Sequence, residues 1–172
     1  MSQNIGTKSL QDVIDWTVMQ FGDSAGVQID VTKMTRWANM AILEVVNKSP
    51  DTYKGKAYAA GGINTQSYTF PENVIELFSV WYGDKILSPM QFELVAEAIK
   101  NVDAKGEPQY WSQWANEFQL WPIPNVSRTI TLFYSARPPE LASLADKIPL
   151  PDRYFPMTVS YTHLRAHETR HD

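Results

Sequence analysis

The sequence predicts an α+β fold. An N-terminal helix pair packs beside a small, mainly antiparallel β-domain with one inserted helix, and the start of a truncated C-terminal helix follows. Three observations predict it. Apolar residues recur at helical spacing until about residue 49. From Tyr53 onward the apolar pattern shifts to a period of two, cut into short runs by glycine and proline turns. Prolines then cluster between the last strand and a renewed helix signal. The expected layout is one domain over residues 1–158. It comprises a helix pair at about 7–49, a β-rich part at about 53–136, a proline-rich connection at about 137–151 and a helix start at 152–158.

Each element has its own signal. Ser9 and Asp12 form a capping box, so the hydroxyl and the carboxylate each satisfy a free backbone N–H at the helix start. Leu10, Val13, Ile14, Thr17, Val18 and Phe21 make one face of that helix, and Gly22 is its expected stop. Asp30 is the expected cap of the second helix, whose stripe is Met34, Trp37, Ala38, Ala41, Ile42 and Val45. Ser49-Pro50 ends it, because the residue before proline is pushed out of helical geometry.

The β-part begins with short runs at Lys56–Ala60 and Ser67–Phe70, on either side of Gly61-Gly62. Val74–Tyr82 is its clearest strand, and Gly83-Asp84 turns it back toward Lys85-Ile86-Leu87. Ser88-Pro89-Met90-Gln91 reads as the start of a third helix, with serine as cap and proline in the first turn, running to about Ile99. Val102–Gly106 reads as a loop. Tyr110–Trp114 and Glu117–Trp121 form a hairpin across Ala115-Asn116, and Pro122 and Pro124 end its second strand. Ile130, Leu132 and Tyr134 alternate as a half-buried strand should, which reads as the third strand of a meander. Leu141–Ala145 reads as one helical turn.

Residues Val159–Thr169 match one reading frame of a transposase-type sequencing oligonucleotide, and Arg170, His171 and Asp172 fit the adjoining bases. The segment 159–172 is therefore expected to be foreign sequence and is set aside from fold reasoning. All three histidines (His163, His167 and His171) fall within it. Their spacing is consequently not read as a metal site, and no metal or other cofactor is expected.

Composition narrows the function. The net charge is −4, from 15 Lys and Arg against 19 Asp and Glu. A free-standing nucleic-acid binder needs basic patches to neutralise phosphates. The chain has no cysteine, so thiol chemistry and disulfides are excluded. No signal peptide is expected, because Met1–Gly6 is polar and no apolar stretch follows. No apolar run approaches the roughly 18–20 residues needed to span a bilayer. Phosphate-binding loops and nucleophile elbows are missing, and no natural histidine is left to serve as a base. Glu72 with Glu76, or Glu107 with Glu117, are the only carboxylate pairs worth weighing for acid–base work. Solvated surface charge is the simpler account of both, and no catalytic residue is assigned.

Six tryptophans stand out, four of them on expected strands. Core and subunit interface are favoured over a stacking platform for sugars or bases, since Tyr110–Trp121 contains no basic residue. Trp81, Tyr110, Trp111, Trp114 and Trp121 are the candidate interface residues. Pro138 and Pro139 join them as a stiff arm suited to docking on a neighbour.

Several pieces, in this order, resemble one family. They are Arg36–Val45 on the second helix, Tyr68-Thr69-Phe70-Pro71, Gly106-Glu107-Pro108, Leu120-Trp121-Pro122-Ile123-Pro124, Thr131–Tyr134, Pro138-Pro139-Glu140-Leu141, Asp146 and Leu150–Tyr154. Together they resemble the head–tail connector (adaptor) proteins of tailed bacteriophages. The resemblance spans roughly Thr32–Phe155. It implies a non-enzymatic virion protein, a subunit of a homo-oligomeric ring below the portal protein that extends the DNA channel and docks tail proteins. Double-stranded DNA would pass without specific binding. The implied location is the virion, with the host cytoplasm during assembly. This chain departs from the family pattern in lacking the long C-terminal helical segment. Two alternatives stay open: another tail or baseplate component, or a carbohydrate-binding β-module that stacks sugar on Trp111, Trp114 and Trp121.

Overall fold

A computed structural model describes residues 6–20, 30–101 and 104–168, with the side chains of residues 20, 98–101, 163 and 165–168 outside that description. The chain divides into two compact units. One joins Met1–Lys54 to Arg137–Asp172, and the other is the inserted stretch Gly55–Ala136.

The first unit is built on three helices: α1 (Leu10–Gln20), α2 (Val31–Lys48) and α4 (Phe155–Glu168). The capping box at Ser9 forms as its residues dictate. The Ser9 N–H donates to Asp12 Oδ2 at 2.7 Å, and the Asp12 N–H donates back to Ser9 Oγ at 3.3 Å. Asp30 caps α2 by accepting from the Thr32 N–H at 2.8 Å. The expected stripe is buried at Met34, Ala38, Ala41, Ile42 and Val45, with Val46 added and Trp37 at its margin. Of the α1 face, Leu10, Val13, Ile14 and Thr17 are buried, Val18 is exposed, and Phe21 and Gly22 lie outside the described residues.

The expected helix pair is completed by α4, which packs on both partners. A short 3-10 turn at Asp152–Tyr154 precedes it. Helix α4 continues through the stretch that resembles a sequencing oligonucleotide and buries Val159 and Thr162. Threonines buried on α1 and α4 satisfy their hydroxyls on carbonyls one turn back, Thr17 on Val13 and Thr162 on Thr158.

The proline-rich connection supplies the other wall of this core through Leu141, Ile148 and Leu150. Residues 6–11 run against residues 144–150. Gly6 N–H donates to Leu150 O, Ile148 N–H to Lys8 O, Leu10 N–H to Asp146 O and Gln11 N–H to Leu144 O, all between 2.9 and 3.0 Å. Asp152 adds both carboxylate oxygens, taking Thr7 N–H at 2.8 Å and Thr7 Oγ1 at 2.9 Å. No helical turn forms at Leu141–Ala145. Asp146 accepts the Ala142 and Ser143 N–H groups, each at 2.8 Å, and these bonds compete with a helix for the same donors. Asn39 on α2 fastens the connection by pairing with the backbone of Leu141. It accepts the Leu141 N–H at 2.8 Å and donates to the Leu141 carbonyl at 3.0 Å.

The inserted unit holds ten strands in two four-stranded sheets and one two-stranded ladder, described through Ala136. The first sheet has the order β1 (Lys54–Ala60), β10 (Thr129–Ala136), β3 (Val74–Tyr82), β4 (Lys85–Ile86). Gly83, at φ 62, makes the tight turn between β3 and β4. Gly55 lets the Tyr134 ring lie against β1, since a Cβ there would come within 2.4 Å of the ring. The second sheet has the order β2 (Ser67–Thr69), β8 (Glu117–Trp121), β7 (Tyr110–Trp114), β5 (Ser88–Pro89). The β7–β8 hairpin has the expected register, with Trp114 opposite Glu117. The left-handed residue of its turn is Ala115, at φ 52.

Three expectations about this unit are corrected. The strand at residues 129–136 does not extend the hairpin as a meander. It pairs antiparallel with β3 and sits inside the other sheet. Pro122 has no N–H to continue β8, and β9 (Ile123–Pro124) instead pairs parallel with β6 (Lys105–Gly106), which redirects the chain. Residues 105–106, expected within a loop, are therefore strand. Ser88-Pro89 does not open the inserted helix. Ser88 and Met90 donate their N–H groups to Gln109 and Trp111 of the hairpin edge, and α3 (Phe92–Asn101) begins after them. Tertiary pairing here overrides a good local cap signal.

Two predictions follow from the first unit. Asn39→Ala strands the Leu141 backbone groups, so it should cost about 1–3 kcal/mol. Chemical denaturation of wild type and variant measures this, and an unchanged midpoint would refute the pinning role. The second concerns acid. Hydrogen bonds hold the carboxyls of Asp12, Asp146 and Asp152 below their ordinary value of 3.8; Thr7 is the main cause at Asp152, and backbone N–H groups dominate at the other two. Unfolding thus raises their proton affinity. The stability they supply is present above the unfolded-state value and lost as pH falls through the depressed folded values. Asp152→Asn should lower stability at pH 7 by more than it does at pH 3. A difference independent of pH would count against the Thr7–Asp152 tie.

Candidate interaction surfaces

Strand alternation sends the hairpin aromatics in two directions. Trp111 is paired with Leu120 and shares its buried face with Phe118, leaving the indole 8% exposed. Tyr110, Trp114 and Trp121 belong to the opposite face, with Tyr110 directly across from Trp121. Trp114 is 58% exposed, yet one side of its ring is stacked on Phe92 of α3 at 4.5 Å. Tyr110 and Trp121 are half-buried. Trp111, Trp114 and Trp121 therefore do not make one exposed stacking surface, which removes the geometric basis for the sugar-binding alternative.

Trp81 lies on a different surface, the outer face of the first sheet. It stands opposite Thr131 on one side and Ile86 on the other. Its indole N–H donates to Ser79 Oγ at 3.2 Å, and its ring meets Phe133 edge-on at 6.3 Å. Lys56 lies over both Tyr58 and Phe133, at 4.8 and 5.1 Å from the ring centroids. Tyr58 is 66% exposed and Ile86 is 59% exposed. These residues form an aromatic strip with a cation laid along it, a combination enriched at protein interfaces. Sequence reading singled out only Trp81 here. The alternation of Lys54, Lys56, Tyr58 and Ala60 carried the signal for the rest, but a run of small residues between them obscured it.

Pro138 and Pro139 split between core and surface. Pro138 is buried and Pro139 exposed. They form one side of a groove of about 560 Å³ whose other side is the first half of α2. Val31, Arg36, Met40 and Leu43 face Arg137, Pro139 and Glu140 across it. Arg137 Nη2 bonds Glu140 Oε1 at 3.3 Å. Arg36 has no hydrogen bond or ion pair among the described residues.

The carboxylate pairs do not assemble a reaction centre. Glu107 is tied to two cations, Lys85 at 3.5 Å and Arg128 at 3.6 Å. Glu72, Glu76 and Glu117 are exposed. The carboxyls with lowered proton affinity, Asp12, Asp146 and Asp152, all brace backbone turns. Burial pushes the Tyr68 and Tyr82 hydroxyls up; both donate to backbone carbonyls, Tyr68 to Thr65 and Tyr82 to Val126. Among the described residues no group of three or more His, Cys, Asp or Glu could hold a metal ion. Nor is any helix among them long and apolar enough to cross a membrane.

Comparison with known proteins agrees with surfaces made for partners. The family model described as SU10 adaptor protein matches residues 8–172, which includes the stretch resembling a sequencing oligonucleotide. No curated protein matches the chain. With nearly its whole length matched, the chain belongs to the SU10 adaptor protein family and is a bacteriophage structural adaptor protein.

Proposed function

We propose that this protein is a subunit of a homo-oligomeric ring placed below the phage portal, where it extends the DNA channel and docks tail proteins. The observation that carries the reading is family membership over residues 8–172. The surfaces support it. A ring closes by head-to-tail contacts, so each subunit needs two different sticky faces. The strip of Tyr58, Phe133, Trp81 and Ile86 and the groove beside Pro139 are two such faces. Tyr110, Trp114, Trp121 and Pro138 back these surfaces in the proposal, and Trp111 serves the hairpin core.

Charge supports DNA passage without capture. A chain of net charge −4 offers few cations to phosphates, so few counterions are released and duplex is held weakly. The role is non-enzymatic, and its place is the virion, reached from the host cytoplasm during assembly.

An amber mutation in this gene, in the phage that carries it, should yield DNA-filled heads without attached tails under negative-stain microscopy. Tailed infectious particles from a non-suppressing host would overturn the reading.

We also propose that the natural sequence departs from the printed one after Thr158. Eleven consecutive residues, Val159–Thr169, match a single reading frame of one oligonucleotide. Resequencing the locus from a library made without that oligonucleotide should return different codons from residue 159 onward. An unchanged sequence would sink the idea.

A further inference from the structure

We propose that the groove between α2 and the Pro138-Pro139 connection receives a segment of a second copy of this chain, with Glu93 meeting Arg36 and Leu94 entering the groove. The inference rests on the ring reading above and names the contact that would join its subunits.

The groove is preformed. Asn39 clamps the Leu141 backbone at two points, and Leu141 itself is buried in the helical core. The two prolines stiffen the wall between that clamp and the end of β10. A stiff wall loses little freedom on binding, which favours affinity. Its chemistry is mixed. Val31 and Met40, 47% and 41% exposed, provide apolar surface. Arg36 provides an uncompensated guanidinium, while Arg137 is already paired with Glu140. The complementary ligand is therefore a carboxylate next to an apolar side chain.

A second copy is the occupant that charge favours, because the chain carries more acid than base. Few places on it offer an exposed acid beside a large exposed apolar residue. Asp15 on α1 already takes the Gln11 side chain at 2.7 Å. Ile75 and Glu76 are neighbours on β3 and point to opposite faces. Ile86 sits beside Lys85, a cation that would repel Arg36. Glu93 and Leu94 on α3 remain. Both are exposed, Leu94 at 54%, and Glu93 has no ion pair or hydrogen bond among the described residues. A groove and a knob on different elements give a head-to-tail contact, the type that propagates around a ring.

Mass photometry of the full chain across a concentration series tests this. The variants are Arg36→Glu, Glu93→Arg and the double charge swap, each checked for folding by circular dichroism. Each single reversal should raise the concentration needed for assembly by about tenfold or more, and the double swap should restore it. Wild-type rings with unaffected single variants would overturn the groove contact and leave the ring reading standing. A wild type that stays monomeric would count against the ring itself, and a crosslink then decides the groove. The chain has no cysteine, so Arg36→Cys mixed with Glu93→Cys reports one contact only. A short bis-maleimide should join the two into a heterodimer. No heterodimer would overturn the proposal.

Discussion

The structure depends on the closure of a unit whose two halves are separated by the whole β-rich insertion. Residues 1–54 and 137–172 must find each other across that interval. Closing a long loop costs entropy that grows only slowly with length, so a modest set of strong contacts suffices. Two kinds are present. Leu10, Val13, Met34, Ile42, Leu150, Phe155 and Val159 form one apolar cluster drawn from both halves. The backbone of residues 6–11, laid along residues 144–150, adds direction to that non-directional attraction. Without this backbone pairing, the apolar cluster would not specify where α1 begins relative to the returning chain.

The same closure shapes the candidate groove. The returning chain enters through Arg137, Pro138 and Pro139, and it must stay irregular to bring Leu141 onto α2. Asn39 makes that irregular backbone tolerable by satisfying Leu141 on both its polar groups. The groove wall is therefore a by-product of how the unit is sealed, and it inherits the stiffness of the seal. This links a stability element to an interaction surface through one side chain. It also explains why Pro138 is buried and Pro139 exposed: one prolyl ring packs inward and the next lines the groove.

Much of the fold was legible because short-range chemistry decided it. The Ser9–Asp12 box, the Asp30 cap, the stripe of α2, strand β3 and the Ala115-Asn116 hairpin all rest on residues within one or two turns of each other. Failures came where distant backbone competed for the same donors. Ser88 and Met90 give their N–H groups to the hairpin edge, so α3 starts late despite a good local cap. Strand β10 has the alternation of a half-buried strand, but alternation specifies a face and not a neighbour. Its partner is β3, far back in the chain. Function was legible only as a family resemblance, since an adaptor has no reacting group to leave a motif. The aromatic strip was half seen: Trp81 is conspicuous in a sequence, whereas Lys56, Tyr58 and Phe133 become a surface only once β1 and β10 are adjacent.

Exposed apolar area and mild acidity pull in opposite directions in such a protein. Tyr58, Ile86, Leu94 and Trp114 would favour indiscriminate association if nothing opposed it. Net negative charge opposes it, because copies repel wherever acid meets acid. Association is then confined to places where a cation interrupts the acid. Lys56 along the aromatic strip and Arg36 in the groove are two such interruptions, and each lies within an apolar patch. Specificity in this arrangement comes from excluding most encounters electrostatically and leaving a few apolar contacts permitted. An assembly protein that must join defined neighbours, without clumping at the concentrations of a filling host cell, needs that combination more than it needs a large interface.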